Sequence, residues 1–452
     1  LGRLYDVVVA GLGPAGSVAI WHLARMGYSV VGIDLRGWSN LWGKPCGDAI
    51  GAHHVSDAGL PPLPERVIRN HVRAIDIYSP GETTRYRVTG EGYIIDRRAM
   101  GEWLLRDAEA RGAELMLNTA ILGPVIEDGR VVGVRVRRGE RVEEVRGRLV
   151  VEATGFSRVL RTRLPKDWPV YEDIAPTDME IAYREIIEYE DYTVEEPSVI
   201  RIYLDQEVAP GGYWWYFPES SSAVNTGLGV QGGKGHPNPQ QLYRRLVETH
   251  QLFKHKFRVR TGAGAPLPTR RPSNTMVGPG IVVIGDAGYT VNPLHGGGMG
   301  YAFRAAFFAA KAFEEAYNSG NVSIESLWRM NKDYMDAIGA RQAALDVFRI
   351  FLQRLSNDDI RYGMEKRLIP EQDVYYTSTE GDIKLSVIEK ASIILRGLGR
   401  PSLLAKLKLV AEYMRRVREH YRNYPETPHG LPRWIKELEN IYREYLVKLE
   451  KH

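Results

Sequence analysis

Short apolar runs separated by polar stretches of helical spacing set the opening of the chain. Tyr5-Asp-Val-Val-Val-Ala10 reads as a strand, residues 14–27 as a helix and Ser29-Val-Val-Gly-Ile-Asp34 as a second strand, which together make a βαβ unit. Residues 97–111 carry a helical pattern and Ala113-Glu-Leu-Met-Leu117 reads as another parallel strand. The stretch 125–150 alternates about Glu127-Asp-Gly129, a hairpin signal, and runs into the apolar Arg148-Leu-Val-Val-Glu-Ala-Thr-Gly155. From 165 to 275 aromatic-rich runs are broken by Pro and Gly, the texture of an antiparallel sheet. The apolar strand Ile281-Val-Val-Ile-Gly-Asp286 then returns, helical spacing dominates after Gly298, and from 323 onward amphipathic helices prevail without an internal repeat.

The pattern predicts an α/β chain in four parts. A Rossmann-type nucleotide-binding domain is expected over 1–164 and again over 276–320, an antiparallel substrate domain over 165–275, and a helical C-terminal region over 321–452. A length of 452 residues accommodates this, at roughly 100–200 residues per domain. With 44% hydrophobic and 26% charged residues the composition is that of an ordinary globular protein. No apolar run approaches the ~20 residues of a membrane-spanning helix. The opening residues run straight into a strand instead of a signal-peptide core, so a cytoplasmic protein is expected. One cysteine, Cys46, excludes an intrachain disulfide and any multi-cysteine metal site, and no metal site is expected. Redox chemistry must then come from a bound cofactor. A net charge of +4 without a binding motif argues against nucleic acid, while remaining compatible with an anionic lipid or a diphosphate.

Gly11-Leu-Gly-Pro-Ala-Gly16 lies between the first strand and the first helix, the context in which G-x-G-x-x-G marks a dinucleotide site. Gly11 makes the tight turn, Gly13 lets the backbone approach a pyrophosphate, and Gly16 lets helix and strand pack closely. The helix N-terminus presents free amides to the phosphates. Asp34 closes the second strand, where a carboxylate meets a ribose hydroxyl.

Three later segments resemble the flavoprotein superfamily of p-hydroxybenzoate hydroxylase and geranylgeranyl reductase, which implies FAD as the cofactor. Tyr93-Ile-Ile-Asp-Arg97 is similar to the segment whose arginine approaches the FAD phosphates, and Gly285-Asp286-Ala-Gly288 to the motif whose aspartate binds the ribityl chain. Asn292-Pro-Leu-His-Gly-Gly-Gly-Met299 then leads into a helix, where the amides of Gly298 and Met299 can stabilise the anionic edge of a reduced flavin. The resemblance also assigns Ala15, Cys46, Gly47 and Ile121 to the cofactor's surroundings.

Pro210-Gly-Gly-Tyr213-Trp-Trp215-Tyr-Phe217-Pro218 fits the P-x-x-Y-x-W-x-F-P pattern of geranylgeranyl reductases at every specified position. Alternate strand residues share a face, so Tyr213, Trp215 and Phe217 form one aromatic wall suited to a long hydrocarbon. Lys44-Pro-Cys46-Gly47-Asp48 resembles the loop in which these reductases often carry a cysteine; Cys46 is there a catalytic proton donor or orienting group, or a small residue that merely packs. The resemblance, which covers the chain to about 310, implies an FAD-dependent reductase of geranylgeranyl C=C bonds. Its substrate would be a digeranylgeranyl glycerophospholipid or geranylgeranyl diphosphate in preference to geranylgeranyl chlorophyll. NAD(P)H or a ferredoxin-like carrier would supply the electrons, since no second nucleotide motif is visible. A flavin hydroxylase and a non-catalytic prenyl-binding escort share the fold and stand as alternatives; the W-x-W-x-I-P signature of halogenases is missing. Residues 384–422 hold ten Lys or Arg against three Glu with Ile393, Leu395, Leu403, Leu404 and Leu407 interleaved, which reads either as a peripheral membrane surface or as a solvated helix face packed on the core.

Overall fold

A computed structural model describes residues 3–371, 373–374, 393 and 396–451. Two eight-stranded sheets and a helical layer carry them. In the first sheet, Leu4–Ala10 pairs in parallel with Val30–Ile33 on one side and with Arg141–Glu152 on the other. Glu114–Met116 and Ile281–Val283 extend it in parallel, so the late strand returns to the first sheet as its spacing predicts. Both faces of the central strand are covered: Val7 and Val9 pack into one core cluster, Val8 and Ala10 into the other. The helices Pro14–Arg25, Arg97–Ala110 and Met299–Asn318 form the covering layer on the Val7 side. The hairpin Ala120–Glu127 and Arg130–Arg138 turns through Asp128 and Gly129, both at positive φ, the geometry that matches the twist of its strands.

The second sheet runs in the order Phe257–Pro268, Met179–Tyr189, Ala223–Gln231, Tyr213–Pro218, Val199–Tyr203, Ile68–Tyr78, Arg85–Ile95, Ala49–Gly51. It is antiparallel except where Val199–Tyr203 meets Ile68–Tyr78 in parallel. Three of its strands come from residues 49–95, so this sheet draws on chain well before 165.

Beyond 320 the described residues are helical. The helices Arg329–Tyr334 and Ala340–Leu352 join through a π-helical segment, and Pro401–Arg422 packs on Ala340–Leu352. The last helix, Leu431–Lys451, is fastened by Tyr442, whose hydroxyl donates to Asp346 Oδ2 at 3.0 Å, and by Tyr445, which donates to the Val347 carbonyl. Leu403, Leu404 and Leu407 are buried, as is Ile393. Residues 384–392, 394 and 395 of the basic stretch, Leu395 among them, lie outside the described residues. No helix among those described is long and apolar enough to cross a membrane.

Candidate functional site

The first helix begins at Pro14 with Gly13 as its N-cap, and each glycine before it has its own reason. Gly11 sits at φ +96°, and a Cβ there would lie 2.4 Å from the Ala153 carbonyl oxygen; a Cβ on Gly16 would lie 1.8 Å from that of Gly11. Gly13 differs: its Cβ would meet no atom within 4 Å. Two of the glycines make the loop fold, and the third leaves room for something that is not protein. Asp34 stiffens the same loop, accepting from Leu12 N at 2.7 Å through one oxygen and from Arg36 N through the other.

Opposite, Gly285 at φ +66° opens a short 3-10 turn that presents Asp286. Lys44 Nζ donates to Asp286 Oδ2, joining the cysteine loop to a residue 242 positions later. Gly298 stands beside them as N-cap of Met299–Asn318, and a Cβ on it would be 3.5 Å from Asp286 Oδ1. Arg97, first residue of its helix, donates to the Trp42 carbonyl and lies 3.6 Å from Asp48 Oδ1.

A cavity of about 1180 Å³ connects these elements. Gly11, Gly13, Ala15, Asp34, Cys46, Gly47, Arg97, Asp286, Gly298 and Met299 line one part; Tyr213, Trp215 and Phe217 line the next. Four sequence-predicted residues do not line it. Gly16 is buried beneath the loop, where its role is close packing. Ile121, assigned to the cofactor's surroundings, instead packs against the core beyond the sheet. Pro210 and Pro218, assigned to the substrate, instead fix the ends of the aromatic strand. The Pro210 carbonyl accepts from Gln231 N and the Pro218 carbonyl from Asn70 Nδ2.

The aromatic wall is as the alternation predicts, with ring centroids 6.1 Å apart from Tyr213 to Trp215 and again from Trp215 to Phe217. Gly47 lies against the Phe217 ring, where a Cβ would be 3.0 Å away. Asn225 ties wall to loop: its Oδ1 accepts from Trp215 Nε1 at 3.1 Å, and its Nδ2 donates to the Cys46 carbonyl and to Asp48 Oδ2. Asp48 is buried at φ +61°. Burial pushes its carboxyl up to about 6 against the pull of Arg97 and Arg184. His54 fills the space over Gly300 at the start of Met299–Asn318, and burial pulls its imidazole down to about 3, so it is neutral.

Past the wall the cavity is largely apolar, running between Ile75 and Val88 of the second sheet and Phe351, Leu355, Ile360 and Met364 of the helical layer. Asn225, Glu180 and Arg184 escape motif reading because each reaches the site only through the pairing of distant strands, and the motif containing Lys44 and Asp48 does not disclose their partners Asp286 and Asn225. The one available signal was the pair of glycines in Ala223–Gln231, since glycine inside a strand marks a close approach.

Residues 178–265 match the model of the geranylgeranyl reductase catalytic domain, and residues 6–162 match that of the FAD dependent oxidoreductases. The chain is 43% identical over 443 residues to a digeranylgeranylglycerophospholipid reductase of Sulfolobus acidocaldarius, covering 98% of each. It is 32% identical over 364 residues to digeranylgeranylglycerophospholipid reductase 2 of Methanopyrus kandleri, covering 79% of this chain and 88% of that one. Among solved structures, a geranylgeranyl bacteriochlorophyll reductase-like protein of Thermoplasma acidophilum superposes with a TM-score of 0.78 at 23% identity, covering 90% of this chain and 99% of that one. A flavin-dependent brominase does so at 0.63 and 18%, covering 92% and 99%. These two likenesses speak for the fold.

Proposed function

The chain belongs to the digeranylgeranylglycerophospholipid reductase family, and from that premise we propose that it is an FAD-dependent enzyme hydrogenating the C=C bonds of geranylgeranyl chains in isoprenoid lipids. The observation that carries the reading is the single cavity that continues from the glycine loop, past the aromatic wall, into an apolar arm. The residues fit FAD on their own geometry. Gly13 leaves a cradle at a helix N-terminus for the pyrophosphate, Arg97 adds a cation, Asp34 and Asp286 offer acceptors to hydroxyls, and the amides of Gly298 and Met299 face the same space.

Bound, reduced FAD supplies a hydride equivalent. The protein must hold an alkene against it, exclude water, and place a proton on the second alkene carbon. An isolated trisubstituted alkene accepts hydride poorly unless positive charge develops at its tertiary carbon. The faces of Trp215 and Tyr213 favour that charge by roughly 1–2 kcal/mol each when desolvated. Cys46, on the loop tied to Trp215 through Asn225, orients the alkene or serves as an acid there. The domain division carries these roles: 1–164 with 276–320 for the cofactor, 165–275 for the prenyl chain, joined there by the strands of 49–95, and 321–452 to cover it. Electrons arrive from NAD(P)H or a ferredoxin-like carrier. The protein works in the cytoplasm in peripheral contact with the membrane that holds its lipid, a contact supported by exposed Leu398 next to exposed Arg396.

Mass spectrometry of digeranylgeranyl glycerophospholipid or geranylgeranyl diphosphate incubated with the protein and dithionite tests the proposal. Addition of hydrogen pairs is expected; unchanged lipid with fully FAD-loaded protein would overturn it.

A further inference from the structure

Hydrogenation needs an acid at the alkene, and the strand Met179–Tyr189 brings one to the cavity. Glu180, Ala182 and Arg184 share one face of that strand and all three line the cavity. Burial along the strand is inverted relative to polarity, for Glu180 is 7% exposed while its neighbour Ile181 is 43% exposed. The neighbouring strand makes room for both charged side chains. Across it, Ala182 pairs with Gly229 and Gly229 with Tyr213, while Arg184 pairs with Gly227 and Gly227 with Trp215. A Cβ on Gly229 would lie 3.2 Å from Glu180 Oε2, and one on Gly227 would lie 2.7 Å from the Trp215 ring. The Glu180 carboxyl thus lies over the residue paired with Tyr213, at the edge of the aromatic wall.

Nothing structural accounts for a carboxyl in that place. Among the described residues no hydrogen-bond donor reaches it. The cation that faces it, Arg349 from Ala340–Leu352, is itself held by Asp346 at 2.7 Å and Asp178 at 2.9 Å. The hydroxyl of Tyr213 is committed to the His295 carbonyl at 2.6 Å, and burial followed by the nearby Glu180 pushes its acidity out of reach. Arg184 completes the charged groups on that face and is a permanent cation. An unpaired carboxyl in an apolar cavity keeps its proton.

We propose that Glu180 is the acid that protonates the alkene, a role that rests on the reductase reading above. The O–H bond of Glu180 breaks as a C–H bond forms at the less substituted alkene carbon, and a hydride from the reduced flavin forms the C–H bond at the tertiary carbon. The alkene gains two electrons, the flavin loses two, and Glu180 is left as a carboxylate that water reprotonates. Burial holds the carboxyl up to about 7, where a group both keeps its proton near neutrality and gives it up, and Arg349 attracts the carboxylate left behind.

The test uses the FAD-loaded enzyme, dithionite and geranylgeranyl diphosphate. Glu180→Gln keeps size and polarity but carries no transferable proton. It is expected to bind FAD stoichiometrically and to lower alkene reduction by about 10²-fold or more. The wild-type rate should fall as pH rises through about 7, with that limb missing in the variant and retained, at a lower rate, in Glu180→Asp. An infrared band of a protonated carboxyl should be present in the oxidised wild type at neutral pH, disappear on raising the pH, and be lost in Glu180→Gln. A variant that turns over at the wild-type rate with an unchanged pH profile, or the absence of that band, overturns the assignment. A wild type that cannot hydrogenate the probe overturns the reductase reading instead, and the infrared band still reports on Glu180 in that case.

Discussion

A side chain at position 13 would touch no protein atom, whereas one at position 11 would strike the Ala153 carbonyl. The two glycines of one motif therefore separate folding from binding. Gly13→Val should give a folded chain of near-normal thermal stability that retains less than a tenth of the FAD of the wild type, read from absorbance of the purified protein. Gly11→Ala should cost about 1–3 kcal/mol in denaturant unfolding, since φ is positive there and the backbone has nowhere to move. Asp48 makes a pH prediction. Its folded-state carboxyl is raised from 3.8 to about 6, so the folded protein binds the extra proton, and stability from this group is full below about pH 4 and lost as pH rises toward 6. Asp48→Asn should flatten that decline, on the order of 1–3 kcal/mol between pH 4 and pH 7 in denaturant midpoints. Gly11, Gly13, Asp34 and Asp286 were legible because each belongs to a local motif whose geometry fixes its place. Asn225 was not, because an asparagine on a buried strand gains its partner only when a loop 177 residues away reaches it.

Among the elements, those legible from sequence are the ones whose pattern meets no competing demand. The Asp-Gly turn formed its two-residue hairpin, and the first strand and helix lie within two residues of their predicted ends. Met179–Tyr189 resists such reading because its charged face turns inward, and only the glycines of the adjoining strand mark the inversion. The wall strand Tyr213–Pro218 was legible face by face, though its flanking prolines hold the strand ends instead of lining the cavity. Trp215→Ala removes the centre of the wall and one anchor of Asn225. It should lower prenyl reduction at least tenfold in the mass-spectrometric assay while dithionite still reduces the flavin at the normal rate.

For the molecule as a whole, the helical layer was visible as periodicity, but its purpose was not. Phe351, Leu355, Ile360 and Met364 belong to no motif, and only their placement across from the second sheet makes them walls of a cavity. Pro401–Arg422 buries Leu403, Leu404 and Leu407 on the core and leaves Lys408, Arg415 and Arg416 exposed. Co-sedimentation with anionic vesicles should be salt-sensitive and should weaken in an Arg396→Glu variant, whereas neutral vesicles should recover little protein. The apolar arm has a further consequence. Its largely apolar lining offers an isoprenoid chain several resting depths, so neither an unsaturated nor a saturated unit is singled out for retention. Hydrogen pairs should then accumulate as a spread of partially saturated lipids whose average drifts upward with time. Narrowing the arm with Met364→Trp should halt that drift early without slowing the first addition.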